Sequence, residues 1–133
     1  GAVFIERFDV ERGAADTREL VRLAAQGEML VFFAEGTFTR APGLMPFHMG
    51  AFVAAAETGA PVVPLALRGT RSVLRDGQWL PRRAAIHLSA AAPRIAEGRD
   101  WSSAARLRAA VNAALLALCG EPDLVQSPNR PAP

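Results

Sequence analysis

The chain has 133 residues, half of them hydrophobic and 21% charged, which is enough for one packed core and excludes a disordered or fibrous chain. Fifteen basic residues, all arginine, against thirteen acidic ones leave a formal charge of +2, which gives no signature of a nucleic-acid binder. The single Cys119 excludes an internal disulfide and fits a reducing compartment, and no stretch reaches the roughly 20 apolar residues that span a bilayer.

In chain order, Val3-Phe4-Ile5-Glu6-Arg7 reads as a strand. Asp16 or Thr17 then caps a predicted helix whose Leu20, Leu23 and Ala24 share a face before Gly27 ends it. Met29-Leu30-Val31-Phe32-Phe33-Ala34 is continuously apolar, as expected for a strand covered on both faces in a parallel sheet. A helix over residues 47–58, closed by Gly59, leads to a strand over 62–67, where Pro64 argues for an edge or a bulge. Asp76-Gly77 predicts a hairpin turn between Val73-Leu74 and Trp79-Leu80. Residues 85–89 read as the last strand, with His87 on its polar face. A final helix over 102–118 aligns Leu107, Val111, Leu115 and Leu118 for core packing. The proline-rich residues 122–133 predict a flexible tail or linker, giving one domain over 1–120 and a tail over 121–133. The fold class expected is α/β, with a mixed, mostly parallel sheet flanked by helices.

The chemistry concentrates at residues 33–40, Phe-Ala-Glu-Gly-Thr-Phe-Thr-Arg, where an apolar strand runs into an acid, a glycine, hydroxyls and an arginine. Ligands of open α/β sheets bind beyond the carboxyl ends of strands, which is where this pattern puts Glu35. Gly36 admits close backbone approach, Thr37 and Thr39 offer hydroxyls, and Arg40 offers a planar fork of donors suited to phosphate or carboxylate. The set reads as an oxyanion or phosphate-ester site, or else as a Glu35–Arg40 pair that fastens a loop. Gly-Lys-Ser or Gly-Lys-Thr phosphate loops, a dinucleotide glycine-rich turn, a Gly-x-Ser-x-Gly elbow and metal-ligand spacing are all absent from the sequence. Arg68, Arg71, Arg75, Arg82 and Arg83 fall in a short span. They read either as an ordinary solvated surface or as a basic face toward anionic lipid headgroups.

The Phe33-Ala34-Glu35-Gly36-Thr37 segment resembles the Phe-Pro-Glu-Gly-Thr block of the glycerolipid and lysophospholipid acyltransferases. Three further blocks resemble that family in the same order. They are Val3-Phe4-Ile5-Glu6-Arg7, the run from Gly43-Leu44-Met45-Pro46 through His48 to Phe52, and Pro61-Val62-Val63-Pro64-Leu65-Ala66-Leu67-Arg68-Gly69. The resemblance implies a glycerol-3-phosphate acyltransferase-like fold and transfer of a fatty acyl group from acyl-coenzyme A or acyl carrier protein, as co-substrate, to a glycerol phosphate or lysophospholipid. It implies no metal, no other cofactor and no nucleic acid. It also implies a cytoplasmic protein with peripheral contact at the inner face of the membrane. Arg7 and then Arg40 would hold the acceptor phosphate, and Glu35, Gly36 and Thr37 would line its pocket. For Arg7 the alternative is a solvated arginine paired with Glu6 or Asp9.

Two departures are local: Ala34 replaces the usual proline, and Phe38 a common arginine. A third bears on catalysis. The family's base is a histidine followed by four residues and an aspartate, upstream of these blocks. The fifth positions after His48 and His87 are Val53 and Ala92, so neither histidine begins that motif and no catalytic residue is assigned in this chain. With Gly1-Ala2-Val3-Phe4 at its start, the sequence is expected to be the C-terminal part of such a domain, inactive alone. A non-catalytic phosphate- or lipid-binding module is the alternative. A small hydrolase is a third reading and needs a histidine within reach of Glu35.

Overall fold

The computed structural model describes residues 10–36, 43–74 and 79–124. The expected strand over 3–7 and the centre of the Asp76-Gly77 turn lie outside them. Helix α1 runs Val10–Ala25, α2 Gly50–Thr58, strand β1 Leu65–Arg68, the helical turn α3 Thr70–Val73, β2 His87–Ala90 and α4 Trp101–Cys119.

Helix α1 begins earlier than the sequence reading placed it, so Asp16 and Thr17 lie inside it rather than at its cap. Val10-Glu11-Arg12-Gly13-Ala14-Ala15 holds no proline and two alanines, so the cost of about 1 kcal/mol at Gly13 weakens the helix there without stopping it. The expected face is real: Leu20 is fully buried and Leu23 and Ala24 are half-buried.

Helices α1 and α2 pack together, α2 packs on α4, and α4 covers β1. The core joins Phe47 and Phe52 to Ala55 and Ala56 of α2 and to Ala104, Leu107 and Val111 of α4. The two phenylalanine rings stack at 6.3 Å between centroids and 7° between planes. Three alanines in the buried set let α2 and α4 approach closely while the two rings fill the volume between. Leu115 packs against the edge of this cluster, as the sequence stripe required.

Helix α4 is capped by Asp100, whose carboxylate accepts the Ser103 N–H at 2.8 Å and the Ser102 hydroxyl at 3.0 Å. The Ser103 hydroxyl and backbone N–H, the Ser102 hydroxyl and the charge of Arg106 hold the Asp100 carboxyl down at about 2, from an ordinary 3.8. A depressed carboxylate stabilises the fold above its unfolded pKa, and that contribution is lost as pH falls through the folded value. We therefore expect Asp100→Asn, which keeps an N-cap acceptor, to match the parent near neutrality and to lose less stability than the parent between about pH 4 and 2. Parallel thermal melts across that range check this, and identical acid profiles would refute it.

The sheet differs from expectation. Among the described residues β1 and β2 form one antiparallel pair, with Leu65 opposite Ala90, Ala66 opposite Ser89, Leu67 opposite Leu88 and Arg68 opposite His87. A parallel neighbour needs a crossover that carries the chain back to the starting end, whereas residues 69–86 return it alongside β1 directly. Pro64 sits just before the ladder, where it owes no N–H, and its carbonyl accepts Ala91 N at 3.0 Å. The hairpin expected around Asp76-Gly77 is not flanked by strands: Val73 lies in α3, although Arg82 N does close back on Val73 O at 2.7 Å.

The apolar run over 29–34 is also not a covered strand. It is extended but lies in no ladder among the described residues, and Met29, Val31 and Phe33 are largely exposed at 91%, 77% and 76%. Its composition suits burial on two faces, yet only one is partly covered: Leu30 is half-buried and Ala34 packs against the core cluster, while the Met29, Val31 and Phe33 side faces solvent. At the other end, Leu44 pairs with Asp123 in an isolated parallel bridge, so residues 122–124 are tied to the domain rather than free; residues 125–133 lie outside the described set.

Candidate functional site

The apolar run ends in a tight turn at Ala34-Glu35. Gly36 donates its N–H to Phe33 O at 2.9 Å and takes φ +64°, a left-handed conformation that glycine adopts without the penalty of a Cβ. This turn aims the Glu35 side chain across to the segment that precedes α2. Glu35 Oε2 accepts the Met45 N–H at 2.9 Å, and Ala34 O accepts the His48 N–H at the same distance. The turn and residues 45–48 are thereby clasped, with Glu35 half-buried between them. The carboxylate thus fastens the loop through Oε2, and Oε1 makes no hydrogen bond among the described residues.

Two other elements hold the same segment. Glu121, just past α4, accepts the Gly43 N–H at 2.8 Å on Oε2 and lies 3.7 Å from an Arg71 guanidinium nitrogen. Leu44 N donates to Pro122 O at 2.9 Å, and Leu124 N to Leu44 O at 3.1 Å. From the body of α4, Arg108 donates to Phe47 O at 3.3 Å, one residue before His48. Glu121 and Arg108 went unread in the sequence because each acts across a long separation, 78 and 61 residues, and neither belongs to a local motif.

Of the five residues expected to bind the acceptor, Glu35 and Gly36 fall together in the turn, while Arg7, Thr37 and Arg40 lie outside the described residues. His48 has its backbone bonded to the turn and its side chain exposed. His87 is on β2 opposite Arg68, exposed and on a different element from the turn. Cys119 is half-buried, its sulfur accepting the Glu121 N–H at 3.4 Å, which makes it part of the α4 terminus. Among the described residues no group of three or more His, Cys, Asp or Glu is placed to hold a metal ion. Among them, too, no helix is long and apolar enough to cross a membrane.

The site is therefore a polar turn after an apolar segment, clasped to the loop that opens α2. Residues 1–68 match the Acyltransferase family model, and the chain belongs to that family. It is 38% identical over 77 residues to a chloroplastic 1-acyl-sn-glycerol-3-phosphate acyltransferase of Brassica napus, covering 58% of this chain and 22% of that protein. It is 35% identical over 77 residues to an Arabidopsis thaliana chloroplastic counterpart, covering 58% and 22%. It is 30% identical over 80 residues to the Haemophilus influenzae 1-acyl-sn-glycerol-3-phosphate acyltransferase, covering 59% and 33%. The chain thus spans between 22% and 33% of the length of these relatives. No solved structure matches it.

Proposed function

We propose that this chain supplies the acceptor-binding part of an acyltransferase that acylates a hydroxyl of a glycerol phosphate or lysophospholipid. The observation that carries the reading is the Glu35-Gly36 turn, which lies within the family match and leaves Glu35 Oε1 without a hydrogen bond among the described residues. Arg7 is assigned to the acceptor phosphate, with Arg40 second, and Thr37 joins Glu35 and Gly36 in lining the pocket. In the reaction the acceptor oxygen attacks the carbonyl of an acyl thioester of coenzyme A or acyl carrier protein. An oxygen ester forms, the carbon–sulfur bond breaks, and the hydroxyl proton passes through a base to the departing thiolate. No residue of this sequence is assigned as that base, because neither histidine is followed by aspartate at the required position. A second reading is a phosphate- or lipid-binding module without turnover, which a full-length sequence lacking an upstream histidine–aspartate motif would favour. Either form is placed peripherally at the inner face of a membrane.

Calorimetric titration with glycerol 3-phosphate, against glycerol as control, tests the acceptor assignment. We expect binding that requires the phosphate and weakens at least about tenfold in a folded Arg7→Ala variant, the loss of one charge-assisted contact. Phosphate-independent binding, or an unaffected Arg7→Ala, would overturn it. Acyl transfer from acyl-coenzyme A by the purified chain would show that a base has been missed, and His48 would then be the first residue to replace.

A further inference from the structure

The loop that meets Glu35 is also held from the end of α4, and a single peptide unit joins the two contacts. Helix α4 is anchored in the core by Ala104, Leu107 and Val111, and it stops at Gly120, which takes φ +65° and donates its N–H to Leu116 O at 3.3 Å. That left-handed stop turns residues 121–124 along Gly43 and Leu44. The approach is so close that a Cβ on Gly43 would overlap the Leu124 side chain and come within 2.9 Å of Pro122 O. Leu44 uses both of its backbone groups on this strap, its N–H on Pro122 O at 2.9 Å and its carbonyl on the Leu124 N–H at 3.1 Å.

The Leu44 carbonyl and the Met45 N–H belong to one peptide unit, which is trans and planar, so its oxygen and hydrogen point to opposite edges. One edge accepts from Leu124, and the other donates to Glu35 Oε2 at 2.9 Å. Rotating this plate weakens both bonds together, because a hydrogen bond falls off steeply as it bends. Pro46 follows and restricts the Met45 backbone to extended conformations, which leaves little slack to absorb such a rotation. Glu121 steadies the plate from its other neighbour, accepting the part-buried Gly43 N–H at 2.8 Å. The Arg71 guanidinium lies 3.7 Å from the same carboxylate, but with side chains 48% and 34% exposed that ion pair adds little beside the hydrogen bond.

We propose that residues 121–124 orient Glu35 through the Leu44–Met45 peptide, with Glu121 as a positioning residue of the acceptor site. The proposal rests on the acceptor reading of Glu35, and it extends the site well past residues 1–68 of the family match. Amide hydrogen exchange on the whole chain tests it, with glycerol 3-phosphate titration beside it. Leu124→Pro removes the donor to Leu44 O and raises exchange at Met45 at least about tenfold, the loss of one hydrogen bond, whereas Leu124→Ala keeps the donor and raises it less. Glu121→Ala raises exchange at Gly43 and also at Met45, two residues beyond the bond it removes. Glu121→Gln, whose amide oxygen still accepts from Gly43, restores both. The Leu107 and Val111 amides of α4 keep the parent's protection in all four variants. Glycerol 3-phosphate affinity falls in the same order, lowest in Leu124→Pro and parent-like in Glu121→Gln. Unchanged Met45 exchange in Leu124→Pro and Glu121→Ala, or a loss of protection shared equally by Leu107 and Val111, would overturn the proposal. So would parent affinity in a variant whose Met45 exchange has risen, since Glu35 would then be placed without the strap. A parent chain that binds no glycerol 3-phosphate would sink the acceptor assignment instead, and Met45 exchange would still decide whether the strap orients Glu35.

Discussion

Phe52→Ala lowers the stability of this chain by about 3–5 kcal/mol, the usual cost of removing a buried aromatic ring. Phe52 is 3% exposed, stacks on Phe47 and touches the alanine seam where α2 meets α4. The small residues around it, Ala55, Ala56 and Ala104, have no side chain long enough to collapse into the space. Because whole domains are stable by only about 5–15 kcal/mol, the variant sits close to unfolding at room temperature. Phe52→Leu keeps most of the volume and costs about 1–2 kcal/mol. Urea titrations of the three proteins check the order, and a loss below about 1 kcal/mol for alanine would show that the core does not centre on this ring. The effect also bears on the site. Phe47 loses its stacking partner, and Phe47 precedes His48 on the segment clasped by Glu35.

Glu35→Ala removes the one side chain that, among the described residues, joins the Ala34–Gly36 turn to the loop before α2 by a hydrogen bond. The Met45 N–H is part-buried and loses its acceptor, which costs about 1–3 kcal/mol of local order. Glycerol 3-phosphate binding weakens at least about tenfold, the equivalent of 1.4 kcal/mol. Glu35→Gln separates the two roles of the carboxylate. Its amide oxygen still accepts from Met45 and restores the loop, while the negative charge offered to an acceptor hydroxyl is gone. If fastening is all that Glu35 does, glutamine recovers full affinity. If the second oxygen also receives the acceptor, glutamine folds normally and binds more weakly than the parent. Hydrogen exchange at Met45 reports the loop and calorimetry reports the ligand, so the two outcomes are read separately.

Helix positions were legible wherever a local signal was complete. The predicted helices over 47–58 and 102–118 appear as Gly50–Thr58 and Trp101–Cys119, because apolar spacing and a glycine stop act within a few residues; the Asp100 cap, also a local signal, was not read. The start of α1 was misplaced since Asp and Thr are permitted inside a helix, and only the absence of a breaker upstream marks the true beginning. Strands were legible as composition but not as pairing. The run over 29–34 has the residues of a buried strand, yet whether it is covered depends on neighbours that its own sequence does not encode. The same holds for the β1–β2 pair, whose direction was set by the path of residues 69–86.

The sequence alone determined the family-like blocks, the Glu35-Gly36 turn residues, and the lack of a histidine–aspartate motif, all of which are identities at fixed spacing. Only the tertiary structure decided that Glu35 spends one oxygen on Met45, that Glu121 and Arg108 brace the same loop from α4 and its end, and that Trp79 and Leu80 stand out in solvent. The physical reason is range: turn propensity and charge are properties of neighbouring residues, whereas a hydrogen bond across 78 positions or the exposure of a side chain exists only after the chain has packed.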